Sequence, residues 1–398
     1  MKIGMSPSFK EGVSAFVADL IAAVEFSPIG YAYRPFGCDA FEDSCIGYHV
    51  VRNVRDALLA LKWIEIKPGS GKAEGYATRI RIARDLLALA ASFGITSLNL
   101  ADHFQRRPRP TFIAHPLKLR KGSELDKGRH HRGKVVPVDL SRPDAAALAT
   151  QVNDINAFMA RQKIEPDKHL IFQRGFNQAD APDFRFNKGG RIYSLGDSYQ
   201  QMPSKLGRKK KDSLRSALTI NDETTVEIDI KASHLTIVRH KLGMDFNPHE
   251  DPYDGLPIPR HVAKSWVLMI LAYHQFQSRW SDEAKKAHVK EADERGVIID
   301  KNALTKDFPV EGVEALMLAR HPILLKWHGS GMTWADLQFW ESSAVVNTVH
   351  ELAMVHDIPA LPVHDSIIVP VSKRSIAEKV LKAHFKAAVG IEPCLTVK

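Results

Sequence analysis

Apolar and polar residues alternate with two different periods in the N-terminal part of the chain. Residues 49–61 carry apolar side chains at helical spacing, and residues 83–93 repeat this pattern. Between them, residues 62–67 and 76–82 alternate apolar and polar positions as strands do, on either side of a Pro-Gly-Ser-Gly turn. The pattern predicts a helix, a β-hairpin and a second helix, and it indicates a compact mixed domain over residues 1–105.

The C-terminal part of the chain shows both periods as well. Helical spacing predicts helices over residues 144–163, 235–242, 257–273 and 340–355. Alternation and short apolar runs predict strands over residues 225–230, 358–363 and 367–371, of which the last two form a hairpin. Residues 189–203 are polar and contain several glycines, and they are predicted to be irregular.

The N-terminal hairpin carries basic residues on both sides of its turn. These are Lys67, Lys72, Arg79 and Arg81. A helix followed by a hairpin with a Gly/Ser/Lys-rich tip resembles a winged-helix DNA-binding unit, in which such cations would contact phosphates. A small α/β packing domain with a solvated basic hairpin fits the same pattern, so the sequence leaves both interpretations open.

The composition of the 398 residues is that of a globular protein, with 44% hydrophobic and 25% charged residues. The net charge of +9 favours a polyanionic partner. Three cysteines in no metal-ligand pattern argue against a disulfide framework and favour a reducing, cytoplasmic setting. The N-terminal residues contain no apolar h-region, so a signal peptide is not predicted. No stretch approaches about 18 apolar residues, so a membrane span is not predicted either.

Residues 106–164 begin with a basic stretch that is rich in proline and glycine. Clusters of Arg and Lys lie at 106–109, 118–121 and 127–134. They predict a linker or mobile loop up to about residue 145, which either follows a phosphate backbone or is merely solvated. The helical pattern over residues 144–163 follows, so residues 106–164 are predicted to be a linker joined to a helix. Residues 165–398 form the third part of the chain.

Two aspartates have similar surroundings in this third part. Asp229 lies at the end of the strand 225–230, and Asp365 follows His364 at the tip of the hairpin. A strand end or hairpin tip can project a carboxylate past the sheet edge while its backbone stays paired. Two such carboxylates on adjacent strands could hold two divalent ions about 4 Å apart, the spacing used for in-line nucleotidyl transfer. Taken alone, each aspartate is more often a cap or turn residue than a metal ligand.

The helix that follows Pro257 offers two cations to a phosphate. Arg260 and Lys264 lie four residues apart and therefore share one face of its first turn. Two cations near a positive helix N-terminus are suited to bind a triphosphate. Taken alone, an exposed Arg/Lys pair is the simpler interpretation.

The order of these motifs resembles the polymerase domain of family A DNA polymerases, the bacterial DNA polymerase I type, and their relatives, the single-subunit phage-type RNA polymerases. Gly190-Arg191, Ser194, Gln200 and Pro203 match the family's Thr-Gly-Arg…Gln-Asn-Ile-Pro segment. Asp229 stands at the motif A aspartate, Arg260 and Lys264 match the Arg-x-x-x-Lys opening of motif B, and His364-Asp365 matches motif C. Glu341-Ser-Ser-Ala344 occupies the place of the helix before motif C.

The resemblance implies an α+β right-hand polymerase. It would have an antiparallel palm sheet, helical fingers and a thumb-like helical region within residues 106–164, preceded by the winged-helix-like domain. Asp229 and Asp365 would bind two Mg²⁺ ions, for which Mn²⁺ could substitute, and Arg260 and Lys264 would bind the incoming triphosphate. The short separation of the two aspartates implies reduced fingers.

The same resemblance assigns contacts to the nucleic acid. His364 would touch the primer-terminal backbone, and Arg191 and Gln200 would contact the minor groove of the primer–template. Salt-sensitive attraction to phosphates would come from Lys205, Arg208, Lys209, Lys210 and Lys211.

Three positions depart from the family pattern. His234 stands where the DNA enzymes have a glutamate that helps to exclude ribonucleotides, and its ring is bulky enough to block a 2′-hydroxyl. Ser366 follows motif C as a serine does in the RNA polymerases. The motif B tyrosine position holds Ala272, so Tyr273 or Trp266 would supply the stacking aromatic at the nucleotide, unless both are core residues.

The sequence therefore predicts a template-directed DNA polymerase, without a proofreading exonuclease, that extends a primer 3′-hydroxyl with dNTPs on primer–template DNA. By analogy, such a minimal enzyme with a winged helix is a replication protein of a phage, plasmid or mobile element. Two alternatives stay open: a single-subunit RNA polymerase or primase-like enzyme, and a nucleic-acid-binding protein whose catalytic site has decayed. No membrane partner and no particular protein partner is indicated, which is compatible with a monomer.

Overall fold

The computed structural model describes residues 6–26, 30–34, 36, 46–68, 78–104, 115–126, 129–131, 133–165, 170–195, 199–201, 215–273, 275–300 and 302–398. The chain divides into two compact units, Met1–Arg109 and Pro110–Lys398. Helices and largely antiparallel sheets occur in both units. The α+β class predicted from the sequence is confirmed.

The N-terminal unit combines a three-stranded antiparallel sheet with helices. Its elements are α1 (Pro7–Phe26), β1 (Tyr31–Arg34), α2 (Tyr48–Ala60), β2 (Ile64–Lys67), β3 (Thr78–Ile82), α3 (Arg84–Ser92) and α4 (Leu100–His103). The central strand β3 lies between β1 and β2, and its Ile80 is fully buried in one core with Leu20 of α1 and Val54 of α2. The predicted helix, hairpin strands and second helix are thus present as α2, β2, β3 and α3, while the hairpin tip lies outside the described residues.

The C-terminal unit contains the remaining elements. Its strands are β4 (Leu117–Arg120), β5 (Glu124–Asp126), β6 (Arg129–His131), β7 (Val135–Val136), β8 (Ile164–Glu165), β9 (Ile171–Phe176), β10 (Gly189–Leu195), β11 (Thr219–Ile220), β12 (Glu223–Ile230), β13 (Leu361–Val363), β14 (Ser366–Pro370) and β15 (Leu395–Val397). Its helices are α5 (Pro143–Met159), α6 (Ser233–Lys241), α7 (Arg260–Tyr273), α8 (Asp282–Glu294), α9 (Ala303–Asp307), α10 (Val310–Arg320), α11 (Trp334–Met354) and α12 (Arg374–Val389).

The largest sheet brings the two aspartates to the same end of adjacent strands. Its order is β13-β14-β12-β11-β8, with β15 also paired to β12, and all of these pairs are antiparallel. Asp229 of β12 lies opposite Ser366 of β14. The two-residue turn His364-Asp365 joins β13 to β14, and the Ile230 amide donates to the Asp365 carbonyl at 3.1 Å. The turn is therefore fastened to the end of the strand that carries Asp229.

A second sheet, with the order β10-β9-β4-β7, corrects two sequence predictions. The stretch up to residue 145, predicted as a linker or mobile loop, contains β4, which pairs with β9 and β7 and buries Leu117 and Leu119. Its Leu-Lys-Leu-Arg alternation is short, and its ladder partners are distant in sequence. The segment predicted to be irregular begins with strand β10, which pairs with β9 over Gly189–Leu195.

Two glycines at the start of β10 interrupt the alternation of apolar and polar residues that would indicate a strand. Gly189 and Gly190 both have φ of 78, and the register shifts between Gly189 and Arg191. A Cβ on Gly190 would lie 3.0 Å from Ser342 Oγ and 3.2 Å from the Phe176 ring. Glycine is required here because the left-handed backbone and the close approach of α11 both exclude a side chain.

Substituting Gly190 with alanine is expected to lower the free energy of unfolding by about 2 kcal/mol, since alanine is strained at this φ and crowds Ser342. Chemical denaturation measures this change. Gly329→Ala is the matched control, because nothing lies within 4 Å of its Cβ position. Equal stability of the two variants would show that the Gly190 backbone can relax.

Candidate active site

A cleft of about 1020 Å³ opens at the end of β12, where Asp229 and Asp365 lie. Helices α6, α7, α8 and α11 contribute to its walls. The structure brings eight of the residues singled out in the sequence to this cleft: Asp229, Asp365, Arg260, Lys264, His234, Tyr273, Arg191 and His364. Their chemical roles remain predictions.

Glu341 of α11 lies at the floor of the cleft and was not predicted as a site residue. Its side chain is 2% exposed. Oε1 accepts from Arg191 Nη2 at 2.5 Å and Nε at 3.1 Å, and Oε2 lies 3.0 Å from His234 Nε2. Burial alone would raise the pKa of Glu341, but attraction to His234 and Arg191 and their hydrogen bonds outweigh burial and hold that pKa well below its usual range. Glu341 is therefore an ionised, fully engaged carboxylate.

His234 is fixed in the wall by this carboxylate and by an aromatic neighbour. Its ring is buried, and it meets Trp334 edge to face with ring centroids 4.3 Å apart. The ring is thus restrained from two sides by Glu341 and Trp334. A restrained ring can act as a steric wall, which a freely rotating side chain cannot do.

Asp229 and Asp365 differ in how their charges are balanced. Lys398 Nζ contacts Asp229 Oδ2. Asp365 is half-buried and forms no ion pair with any residue that the structure describes. Burial raises its pKa, and the negative charges of Glu341 and Asp229 raise it further. The positive charge of Arg191 opposes this rise in pKa only in part. The turn therefore presents to the cleft a carboxyl group that has no ion-pair partner among the described residues.

This charge distribution fits a divalent cation. The described part of the chain holds no group of three or more His, Cys, Asp or Glu side chains that could bind a metal ion by itself. Mg²⁺, however, is usually held by one or two carboxylates together with waters and substrate phosphates. Asp229 and Asp365, which face one cleft, supply that donor set.

The α7 wall carries the two predicted cations. Arg260 Nη2 lies 3.2 Å from Asp251 Oδ2, and its guanidinium stacks over Tyr253, 4.9 Å from the ring centroid. Asp251 also lies 3.6 Å from Lys231 Nζ. Lys264 is exposed and has no ion-pair partner among the described residues. Of the two predicted cations on α7, Arg260 is therefore held by an acid and Lys264 is available.

The structure separates the two candidate aromatic residues of α7. Trp266 is fully buried, and its ring stacks on Phe276 with centroids 6.3 Å apart. It is a core residue, and the alternative in which it contacts the nucleotide is wrong. Tyr273 is 41% exposed and lines the cleft together with Ala272.

Gln200 does not occupy the position predicted for a minor-groove contact. It is buried, and its Nε2 donates to the carbonyls of Ile192 and Pro362 at 3.0 and 2.9 Å. Its Oε1 accepts from the Ser194 amide at 3.1 Å. These hydrogen bonds connect β10 to β13 and occupy the carboxamide, so it is not available to contact a duplex.

Several predicted nucleic-acid contacts lie outside the described residues: Lys72, Lys205, Arg208, Lys209, Lys210 and Lys211. In the N-terminal unit, Arg81 pairs with Glu65 at 2.5 Å. Arg81 and Lys67 both lie over the Tyr31 ring. Arg79 lies on β3 with its Nε buried. Some of the basic side chains of β2 and β3 therefore form contacts within the N-terminal unit.

Comparison with solved structures gives a weak likeness to a polymerase domain. No protein-family profile matches the chain, and no curated protein matches it. Among solved structures it is similar to the POL domain of Pol1 from M. smegmatis in complex with DNA primer-template and dNTP, at 14% identity and a TM-score of 0.33. The match covers 98% of this chain and 65% of that chain, and the score is too low to define a shared fold. None of the described helices is long and apolar enough to cross a membrane.

Proposed function

We propose that the C-terminal unit is a nucleotidyltransferase that extends the 3′-hydroxyl of a primer on a DNA template with dNTPs. One observation carries this proposal: two carboxylates at the same end of adjacent strands face a cleft that also exposes the cations of α7. A metal-binding edge opposite a phosphate-binding helix is the arrangement that in-line phosphoryl chemistry requires. In this reading the largest sheet is the palm, and α7 and α8 are reduced fingers.

Asp229 and Asp365 would hold Mg²⁺, and Mn²⁺ could replace it. The bound ions would supply charge neutralisation at the triphosphate and a lower pKa at the primer hydroxyl. Arg260 and Lys264 would bind triphosphate oxygens from the opposite wall, and the stack on Tyr253 would orient the Arg260 fork.

The reaction replaces a phosphoanhydride bond of the dNTP with a phosphodiester bond to the primer. The primer 3′-oxygen loses its proton and forms a bond to the α-phosphorus, while the bond from the α-phosphorus to the bridging oxygen breaks and pyrophosphate leaves. Lys264, the available cation, would neutralise charge that accumulates on the leaving group. His364 of the turn would contact the primer-terminal backbone, and Arg191 would contact the minor groove of the primer–template.

Sugar selection would fall to His234. Its ring is held between Glu341 and Trp334, so a 2′-hydroxyl directed at it could not be accommodated by rotation. This favours dNTPs over NTPs. Ser366 does not support the RNA polymerase alternative, because it is buried and its hydroxyl donates to Glu227 Oε1 at 2.8 Å.

The test is extension of a labelled primer–template with Mg²⁺, offering dNTPs and NTPs separately, with EDTA added in a parallel reaction. We expect template-matched, EDTA-sensitive extension with dNTPs. Comparable extension with NTPs would replace the proposal by the RNA polymerase or primase-like alternative. Duplex binding without extension by either substrate would leave a nucleic-acid-binding protein with a decayed site.

Asp251→Asn is expected to lower the KM for dNTPs up to about fivefold with little change in kcat. Asp251 competes with the triphosphate for Arg260 and Lys231, and an exposed pair of this kind is worth at most about 1 kcal/mol. Steady-state kinetics measures the effect. Asp254→Asn is the matched control, since that exposed residue lies outside the cleft lining; a rise in KM would instead mean that Asp251 positions Arg260 for binding.

The N-terminal unit would bind DNA through its helix and hairpin. The order of a helix followed by a β-hairpin, with β3 central in the sheet, supports a winged-helix-like unit. A thumb-like role for α5 and a place in the replication of a phage, plasmid or mobile element belong to the same proposal.

A further inference from the structure

A second cavity, of about 980 Å³, lies on the side of α11 that does not face the active-site cleft. Glu341 lines the cleft, whereas Trp340, Ser343 and Asn347 of the same helix line the cavity. Helices α5 and α12 form its other sides. Its volume is that of pockets that take a small organic molecule.

Arg174 of β9 lies at the bottom of this cavity and is only 2% exposed. Its Nε donates to the Gly190 carbonyl at 2.8 Å, Nη1 to Gln151 Oε1 at 3.1 Å, and Nη2 to Ser343 Oγ at 3.4 Å. All three acceptors are neutral, and no carboxylate of the described residues pairs with this guanidinium. Burial lowers the pKa of Arg174 to about 10, so the group stays charged at neutral pH.

An unpaired buried cation is unusual, because the loss of hydration is normally offset by an opposite charge. Arg174 has five N–H donors, of which these contacts use three. The Phe176 ring, 5.2 Å from the guanidinium carbon, supplies only a cation–π contact. The site therefore retains positive charge and hydrogen-bond donors that the protein itself does not satisfy.

The neighbouring amides add donors of the same kind. Because a guanidinium can only donate, Gln151 must turn its oxygen toward Arg174, which leaves its Nε2 to donate to Asn347 Oδ1 at 2.8 Å. The amide nitrogen of Asn347 is then the end of the chain, with no acceptor among the described residues. Arg174 thus fixes the orientation of the Gln151 and Asn347 amides. The amide nitrogen of Asn347 is left as a hydrogen-bond donor on the cavity wall.

We propose that this cavity binds a small organic anion. Its carboxylate or phosphate oxygens would accept hydrogen bonds from Arg174 and Asn347. Its ring or apolar body would pack against Trp340, Phe186 and Leu148, which line the remainder of the cavity. Of the acids on the lining, Asp144 pairs with Arg142, which reduces its repulsion of an entering anion, and Asp154 is hydrogen-bonded to His350 at 3.1 Å.

The test is isothermal titration calorimetry of the full chain with two ring-bearing anions, benzoate and dAMP. Their uncharged counterparts, benzamide and deoxyadenosine, are titrated in parallel. We expect at least one of the anions to bind with a Kd below about 1 mM and its uncharged counterpart to bind at least tenfold more weakly. Binding of benzoate alone would identify a carboxylate ligand, and binding of dAMP alone a phosphate ligand.

Two variants assign the binding to this cavity. Asn347→Asp replaces the terminal donors by an anion without changing size and is expected to weaken binding at least tenfold, whereas Asn302→Asp, which adds the same charge on an exposed turn, is not. Arg174→Met is expected to abolish binding. Lys264→Ala removes the available cation of the cleft and is expected to leave binding to this cavity unchanged; loss of anion binding in this variant would place the ligand in the cleft and overturn the proposal. Absence of binding by both anions, or binding that survives Asn347→Asp, would overturn the proposal.

Discussion

Replacing either Asp229 or Asp365 with asparagine is expected to reduce primer extension about a thousandfold or more, a loss of ~4 kcal/mol of transition-state stabilisation. Asparagine keeps the size of the side chain and removes the charge that would hold Mg²⁺. The two strand ends are adjacent, so each carboxylate contributes to one shared site, and either substitution alone should suffice. Single-turnover extension on a labelled primer–template measures the effect.

Both variants are expected to remain folded. Asp365 has a raised pKa and no ion pair, so its neutral counterpart should leave the unfolding temperature unchanged or higher. Asp229→Asn loses only the contact with Lys398, a partly exposed pair worth about 1 kcal/mol or less. Asp357→Asn, on an exposed turn with φ of 54, is the matched control for activity. Extension by both cleft variants within about tenfold of the wild type would reject a carboxylate-based metal site.

Replacing Lys264 with alanine is expected to lower kcat/KM for dNTPs by roughly 10- to 100-fold. A hydrogen bond between charged groups is worth about 1.5–3 kcal/mol, and Lys264 has no other partner to compensate. Because the charge would act on the leaving pyrophosphate, most of the loss should appear in kcat. Lys264→Arg, which keeps the charge, should recover part of the rate.

Lys286→Ala is the control for Lys264→Ala, since Lys286 is exposed on α8 and lies outside the cleft lining. It should have wild-type kinetics. An equal effect of the two substitutions would indicate general phosphate attraction by surface lysines. In that case the effect should fall steeply with salt, whereas a direct contact inside the cleft is screened less.

The strand of Asp229 and the hairpin of Asp365 were predictable because local signals specify both. Alternating apolar residues fix which face of β12 is buried, and a two-residue turn fixes the register of β13 with β14. The helix of Arg260 and Lys264 was predictable from its apolar run. That all four side chains meet in one cleft does not follow from periodicity, and it was anticipated only through the order of the motifs.

The features that the sequence did not predict depend on contacts between distant segments. Strand β10 was missed because Gly189 and Gly190 break the alternation, and their need for glycine comes from α11. Helix α11 begins at Trp334 and not near Trp340, because Thr333 and Asp336 form a capping box.

The places of Glu341 and Gln200 in the structure also depend on contacts between distant segments. Gln200 matches a motif position, but its carboxamide is consumed by the backbone of β10 and β13. Glu341 gave only the weak signal of an acid on the buried face of an apolar helix. Its importance arises from Arg191 and His234, which lie far from it along the chain.

Lys398 gives the cleft an internal counter-ion. Its ammonium rests on Asp229, at the strand end where a metal ion would bind. Under the proposed function, metal binding would exchange one cation for another, and the apparent affinity for Mg²⁺ would be the difference between two attractions to the same carboxylate. Asp229 would keep a neutral pairing and a defined orientation between turnovers, and the displaced ammonium would add a positive charge to the cleft lining.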